Sequence, residues 1–185
     1  MKVLFTTPIL EFPAAGGPQL RIENSIKALS EVCELDIVHR VPYLSDTVMK
    51  TDAYFSKYAQ NYLTLCDYHP SRFVRLQQRI FRRLFGHKRV AHLNEIINHI
   101  KENKIEVIWF GFGNISYPLI AALKAEIPTV KVICDTDSVW SRFILRELPF
   151  ATGQRKRKIE LAGKEKEREE RAWVNLVEVT TAVSE

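Results

Sequence analysis

Short apolar runs alternate with helically spaced apolar positions along the chain. Five runs predict β-strands, because they are too short for globular helices and rich in β-branched residues. They lie at residues 3–7, 34–39, 107–110, 130–134 and 176–183. Between them, helical periodicity at 72–86, 90–103, 116–126 and 154–173 predicts amphipathic helices. This alternation predicts an α/β domain with a mainly parallel sheet between two helix layers, a three-layer Rossmann-like arrangement.

The first 31 residues predict a strand, a loop and an amphipathic helix. Gly16 and Gly17 lie in the loop and leave room for a ligand beside the backbone, and Pro18 suits the first position of a helix. Free N–H groups and the positive end of the helix dipole would meet there, so phosphate is the ligand that this arrangement favours. The alternative is that the two glycines only shape a turn.

The strand ends are expected to share one edge of the sheet, because right-handed crossovers point parallel strands in the same direction. The loops that follow Thr7, Phe110 and Cys134 therefore meet at that edge. The segment 41–70 is aromatic and poorly periodic, which predicts a loop with short helical pieces.

Composition indicates one ordinary domain that spans residues 1–185, since 46% of its residues are hydrophobic and 26% are charged. Its three cysteines, Cys33, Cys66 and Cys134, form neither a metal-binding pair nor a disulfide framework, which favours the cytoplasm. No apolar stretch is long enough to span a membrane, so we expect a soluble or peripheral protein. The five histidines have no zinc-ligand spacing, and no metal or cofactor is expected.

Three segments, in their order along the chain, resemble the N-terminal half of a GT-B glycosyltransferase of the retaining group called family 4 or group 1. The opening strand with Gly16, Gly17 and Arg21 is similar to the first loop of that group. The stretch VKVICDTDSVWSRFILRE at 130–147 resembles the strand and loop at its acceptor pocket. The stretch EKEREERAWVNLVEVTTAVSE at 165–185 resembles its closing helix and strand. The resemblance covers nearly the whole chain.

This resemblance implies an acceptor-side domain of an enzyme that moves a sugar from a nucleotide-sugar donor to a glycan, lipid or small-molecule acceptor. In the family, a C-terminal domain grips the nucleotide. We expect that domain to be absent here and the 185-residue chain alone to be inactive. The alternative is a free-standing, non-enzymatic α/β module that binds a nucleotide or a partner.

Two carboxylates are the candidate catalytic residues. Asp135 and Asp137 directly follow a predicted core strand, where a doubly wound sheet presents its ligand site. The resemblance places them near a position where many relatives have a histidine that faces the acceptor. A carboxylate within hydrogen-bond reach would accept the proton of the acceptor hydroxyl. The alternative for Asp137 is a helix cap before Trp140.

The remaining candidates divide between donor and acceptor. Contact with the donor diphosphate is assigned to Gly16, Gly17 and Arg21, although Arg21 is alternatively a surface arginine on the first helix. The acceptor pocket is assigned to Gly111, Gly113, Trp140 and Arg142, with core packing as the alternative for Trp140.

The net charge of +5 is unevenly distributed. Residues 71–92 contain seven Lys and Arg side chains and no Asp or Glu, with apolar residues at helical spacing. This pattern predicts an interfacial helix that contacts anionic lipid at the inner face of the membrane, or else a core helix with its arginines in water. No nucleic-acid partner is expected, since no recognised module accompanies these charges. Residues 155–171 carry both signs and predict a solvated helix with internal ion pairs.

Overall fold

The computed structural model describes residues 1–66, 90–136 and 138–182, which contain a six-stranded sheet. All pairings between these strands are parallel, and their order across the sheet is β3-β2-β1-β4-β5-β6. The strands are β1 (Lys2–Thr7), β2 (Glu34–Val41), β3 (Asn61–Cys66), β4 (Val107–Gly111), β5 (Lys131–Thr136) and β6 (Val179–Ala182).

Helices flank this sheet on both faces and complete a three-layer Rossmann-like domain. The helices of the described residues are α1 (Gly17–Val32), α2 (Asp46–Phe55), α3 (Leu93–Asn103), α4 (Tyr117–Glu126), α5 (Trp140–Leu145) and α6 (Gly153–Val174). We call the side that α1 and α2 cover the first face and the side that α3 and α4 cover the second face. The predicted fold class is therefore confirmed.

β1 is a central strand because both of its faces are buried. Val3 and Phe5 pack against α1 and α2 on the first face, whereas Leu4 packs against α3 and α4 on the second. All three side chains are at most 1% exposed. A strand buried on both faces needs an uninterrupted apolar run, which is why the sequence pattern identified it.

The segment 41–70, predicted as a loop with short helical pieces, has such pieces in α2 and in a 3-10 turn at Ser56–Tyr58, but the prediction missed the strand β3. Helix α2 begins at a Ser45 cap, whose hydroxyl accepts a hydrogen bond from the Val48 N–H at 3.2 Å. Its buried positions are Thr51 and Phe55, while Met49 is 59% exposed. A buried threonine and an exposed methionine obscure the helical periodicity, which explains why the bounds of α2 were not predicted.

Some predicted features lie outside the described residues. These are the helix at 72–86, the basic segment 71–92 apart from residues 90–92, Asp137, and the last residues of the closing strand at 183–185. Within the ranges that the structure describes, no helix combines the length and the apolar character needed to cross a bilayer.

Candidate functional site

The strand order of the sheet reverses between β1 and β4, and at the carboxyl edge of such a position a doubly wound sheet forms a crevice. The helix that follows β1 covers the first face and the helix that follows β4 covers the second, so the two connections leave this edge in opposite directions. Thr6 pairs with Phe110, and Gly111 pairs with Asp135, so these strand ends lie side by side. Doubly wound domains bind their ligands at this position.

The amino end of α1 follows β1 at this edge. Gly16 and Gly17 are exposed, and the Leu20 N–H donates to the Gly16 carbonyl at 3.0 Å. The backbone of Gly16 is extended, with φ −164°, so its role does not depend on a conformation reserved for glycine. A methyl group added at Gly17 would meet no atom within 4 Å. Open space, the positive end of the dipole and the absence of an acidic side chain from the first turn make this helix end suitable for an anion.

Arg21 of α1 and Asp135 of β5 form an ion pair across this edge. One Arg21 nitrogen, Nη2, donates to Oδ1 of Asp135, and Nη1 donates to the Thr136 carbonyl at 3.3 Å. The Thr181 hydroxyl on β6 donates to the same carboxylate oxygen. The Asp135 side chain is 5% exposed, whereas that of Arg21 is 30% exposed. The two residues that the sequence assigned to different roles are thus direct partners, and the cation is the more accessible of the two.

Gly111 and Gly113 are buried, and protein atoms occupy the space where their side chains would be. A Cβ at Gly111 would lie 2.5 Å from Cζ of Phe5, which packs beneath α1. A Cβ at Gly113 would overlap Sγ of Cys134. Burial raises the pKa of the Cys134 thiol to about 11, so it is protonated at neutral pH. Close packing of the domain therefore requires both glycines, and their contact with an acceptor stays a prediction.

A hydrogen bond links the loop that follows β4 to Trp140, the first residue of α5. Phe112 begins this loop with φ 58°, a conformation that bulky residues rarely adopt and that often marks functional sites. With its amide oriented to satisfy both neighbours, Asn114 accepts a hydrogen bond from the Trp140 indole N–H and donates to the Phe112 carbonyl. Trp140 is 40% exposed, and Arg142 on α5 is also exposed. The structure thus links Trp140 to the loop that contains Gly113.

A second arginine lies at the carboxyl edge on the second face, and sequence reasoning missed it. Arg40 of β2 donates from Nε to the Thr6 hydroxyl at 3.1 Å and from Nη2 to the Ser116 hydroxyl at 2.6 Å. Its guanidinium carbon lies 5.9 Å from the centre of the Phe110 ring. Ser116 directly precedes α4, so Arg40 stands at the amino end of that helix. The sequence feature that could have identified Arg40 is a basic residue directly after the predicted strand at 34–39.

A partly buried polar cluster between β2, β3 and α2 was also missed. Asp52 of α2 accepts hydrogen bonds from His39 Nδ1, the Tyr62 hydroxyl and the Thr64 hydroxyl, each at 2.7 Å. His39 is 1% exposed, and its burial lowers its pKa, against the opposing effect of Asp52. Burial, together with Asp52, raises the pKa of Tyr62. The cluster fixes α2 to the carboxyl half of the sheet.

An open depression of about 510 Å³ runs along α1. It is lined by Gly17, Leu20, Arg21, Asn24, Ser25 and Ala28. Its volume is typical of ligand pockets, but it is open along the helix, so a ligand there would need a second surface to enclose it. Among the residues that the structure describes, no three His, Cys, Asp or Glu side chains could hold a metal ion. The expectation that no metal is required stays a prediction.

No family model matches the chain, and no curated protein matches it significantly. A functional assignment therefore depends on the sequence segments and on the geometry of the crevice.

Replacing Gly111 by Ala tests the close packing beneath α1. The new methyl group would overlap the Phe5 ring, and overpacking of this kind costs about 1–3 kcal/mol. Gly17→Ala is the matched control, since its methyl group enters open space and should change stability by less than about 0.5 kcal/mol. Urea unfolding measures both free energies. Equal effects of the two substitutions would contradict this packing.

The His39 cluster predicts a pH-dependent stability. Because burial lowers the pKa of His39 in the folded state, the unfolded chain binds more protons below the ordinary histidine pKa of about 6.5. The stabilising contribution is therefore complete above that pH and is lost as the pH falls toward the folded-state pKa. Urea unfolding at a series of pH values should show a flatter dependence for His39→Asn than for the wild type. Parallel curves would exclude His39 as the cause.

Proposed function

We propose that this chain is the N-terminal, acceptor-side domain of a retaining GT-B glycosyltransferase, which moves a sugar from a nucleotide-sugar donor to an acceptor hydroxyl. Support comes from three sequence segments that resemble the family and from a strand order that suits nucleotide-type ligands. The proposal includes a cytoplasmic location, peripheral contact with the inner face of the membrane, and no metal or cofactor.

The observation that carries the proposal is the convergence of two helix amino ends and two arginines at the carboxyl edge between β1 and β4. The amino end of α1 lies on one side with Arg21, and the amino end of α4 lies on the other with Arg40. Helix amino ends and guanidinium groups both favour anions. A diphosphate is an anion of suitable size and charge, and it is the leaving group of a nucleotide-sugar donor.

Arg21 has the donors that a diphosphate would need. Its contacts with Asp135 and Thr136 use two of the five guanidinium N–H groups, and the side chain is partly exposed. A bound diphosphate would accept hydrogen bonds from Arg21 and from the amides of Gly16 and Gly17. These contacts would stabilise the charge that develops on the leaving group.

Asp135 is the proposed base toward the acceptor. It is buried under Arg21, so proton transfer would require the guanidinium to turn toward the diphosphate and expose the carboxylate. Donor binding would thereby prepare the base. Asp137 is proposed as the second carboxylate, and the loop with Gly111 and Gly113 would form the acceptor pocket together with Trp140 and Arg142.

Calorimetric titration with UDP- and GDP-sugars tests the proposal. Because the family's C-terminal domain makes most donor contacts, this chain should bind a donor only weakly, with a Kd of about 1 mM, which corresponds to about 4 kcal/mol. No transfer is expected. Arg21→Gln should weaken binding several-fold, whereas Lys131→Gln should not, because it removes one equal charge from the amino end of β5, at the opposite edge of the sheet.

Two outcomes would contradict the proposal. Micromolar binding by this chain alone would favour the alternative, a free-standing module that binds nucleotides without catalysis. Binding that is equal for the two arginine variants would place the ligand away from the α1 end of the crevice.

A further inference from the structure

Helices α5 and α6 form an antiparallel hairpin that extends from the domain. The Ser141 N–H donates to a Glu170 carboxylate oxygen at 3.2 Å, and the Leu145 side chain packs against Gly163. Near the turn, Arg155 and Glu147 form an ion pair at 3.1 Å. Within the 22 residues of α6, Gly163 is the only buried one. Since α5 begins just beyond the carboxyl end of β5, the hairpin extends past the edge that contains the candidate site.

The tip of this hairpin, residues 147–158, exposes a phenylalanine beside a basic cluster. Phe150 lies in a short 3-10 helix, Leu148–Phe150, and is 86% exposed, the highest value for a large apolar side chain in the described part of the chain. Four consecutive basic residues follow in the first turns of α6, namely Arg155, Lys156, Arg157 and Lys158. Phe143, 61% exposed, lies under the guanidinium of Arg146 at 5.4 Å.

Helix stability does not account for this placement of charge. Cations at the amino end of a helix interact unfavourably with its dipole, and the first turn of α6 contains no acidic residue. Thr152 makes no side-chain hydrogen bond that would cap the helix. In the cluster, Arg155 pairs with Glu147. Further along α6, basic residues pair with glutamates of the same helix: Lys164 with Glu160, Lys166 with Glu169 and Arg171 with Glu167. Residues 142–158 contain six basic side chains and one acidic side chain.

We propose that the hairpin tip docks on an anionic lipid bilayer, with Phe150 inserted among the lipids and the basic cluster at 155–158 against the headgroups. An exposed apolar side chain next to Lys and Arg is the pattern of interfacial membrane contact. Single-stranded nucleic acids bind in basic grooves that contain several aromatic stacking platforms. This tip is instead a projection with one free ring, Phe150, because the guanidinium of Arg146 lies over the ring of Phe143. A projection with one apolar anchor fits a flat, negatively charged surface. This contact is independent of the basic segment at 71–92.

Co-sedimentation with vesicles tests the proposal. Phosphatidylcholine vesicles that contain about one-third phosphatidylglycerol are compared with phosphatidylcholine alone, using the full chain. The tip variant carries Lys156→Gln, Arg157→Gln and Lys158→Gln together. Its matched control carries Lys164→Gln, Lys166→Gln and Arg171→Gln, which remove the same charge from the distal part of the same helix.

The tip variant should partition into anionic vesicles roughly 100-fold less than the wild type at low salt, about fivefold for each charge removed. The control variant should bind like the wild type.

Phe150→Ser should weaken binding about tenfold, whereas Val32→Ser, a change at another exposed apolar residue, should not. The charge effect should fade as salt rises.

Three results would overturn the proposal. The first is the absence of binding to anionic vesicles, and the second is an equal loss of vesicle binding in the tip and control variants. The third is vesicle binding that none of the tip substitutions weakens. In the last case, single-stranded RNA is titrated with the same variants, and a loss of RNA binding confined to the tip variant would assign the tip to nucleic acid instead.

Discussion

The ion pair between Arg21 and Asp135 is the interaction on which the candidate site depends. It connects α1 to β5 and, through Thr181, to β6, and so it spans the crevice at the end of β4. Gly111 lies on the strand between the two partners, and its lack of a side chain allows Phe5 and Ile22 to pack there. The packing at Gly111 and the ion pair with Asp135 therefore together fix the amino end of α1 and the Arg21 guanidinium at the crevice.

This pair has both a structural and a chemical consequence. Breaking a buried ion pair by removing one partner typically costs about 3–5 kcal/mol, because the other charge stays buried without compensation. The buried negative charge of Asp135 is therefore compensated by Arg21. A second anion at the crevice would share the guanidinium and change the surroundings of the carboxylate. The Asp135 carboxylate would therefore become available as a base only after a ligand had taken over hydrogen bonds of the Arg21 guanidinium.

The sequence predicted the parts of the fold whose pattern follows from burial. β1 and β4 are apolar because helices cover both of their faces, and α3 has a clear apolar side. It predicted that the ends of β1, β4 and β5 share one edge of the sheet, but not which side chains meet there. Arg21 and Asp135 are 114 positions apart, and Arg40 and Ser116 are 76 apart, so only the folded sheet shows that they meet. The segment of helix α2 was predicted only as a short helical piece without bounds, because one of the two buried positions of this helix is a threonine.

The central claim is that the carboxyl edge at β1 and β4 is the ligand site. Titration of ¹⁵N-labelled protein with UDP, followed by amide chemical shifts, tests it most directly. The account predicts that shifts concentrate at residues 16–21 and in the loop 111–114, with Arg21→Gln reducing them. Shifts confined to the opposite edge, such as the depression lined by Ile105 and Val130, would contradict it.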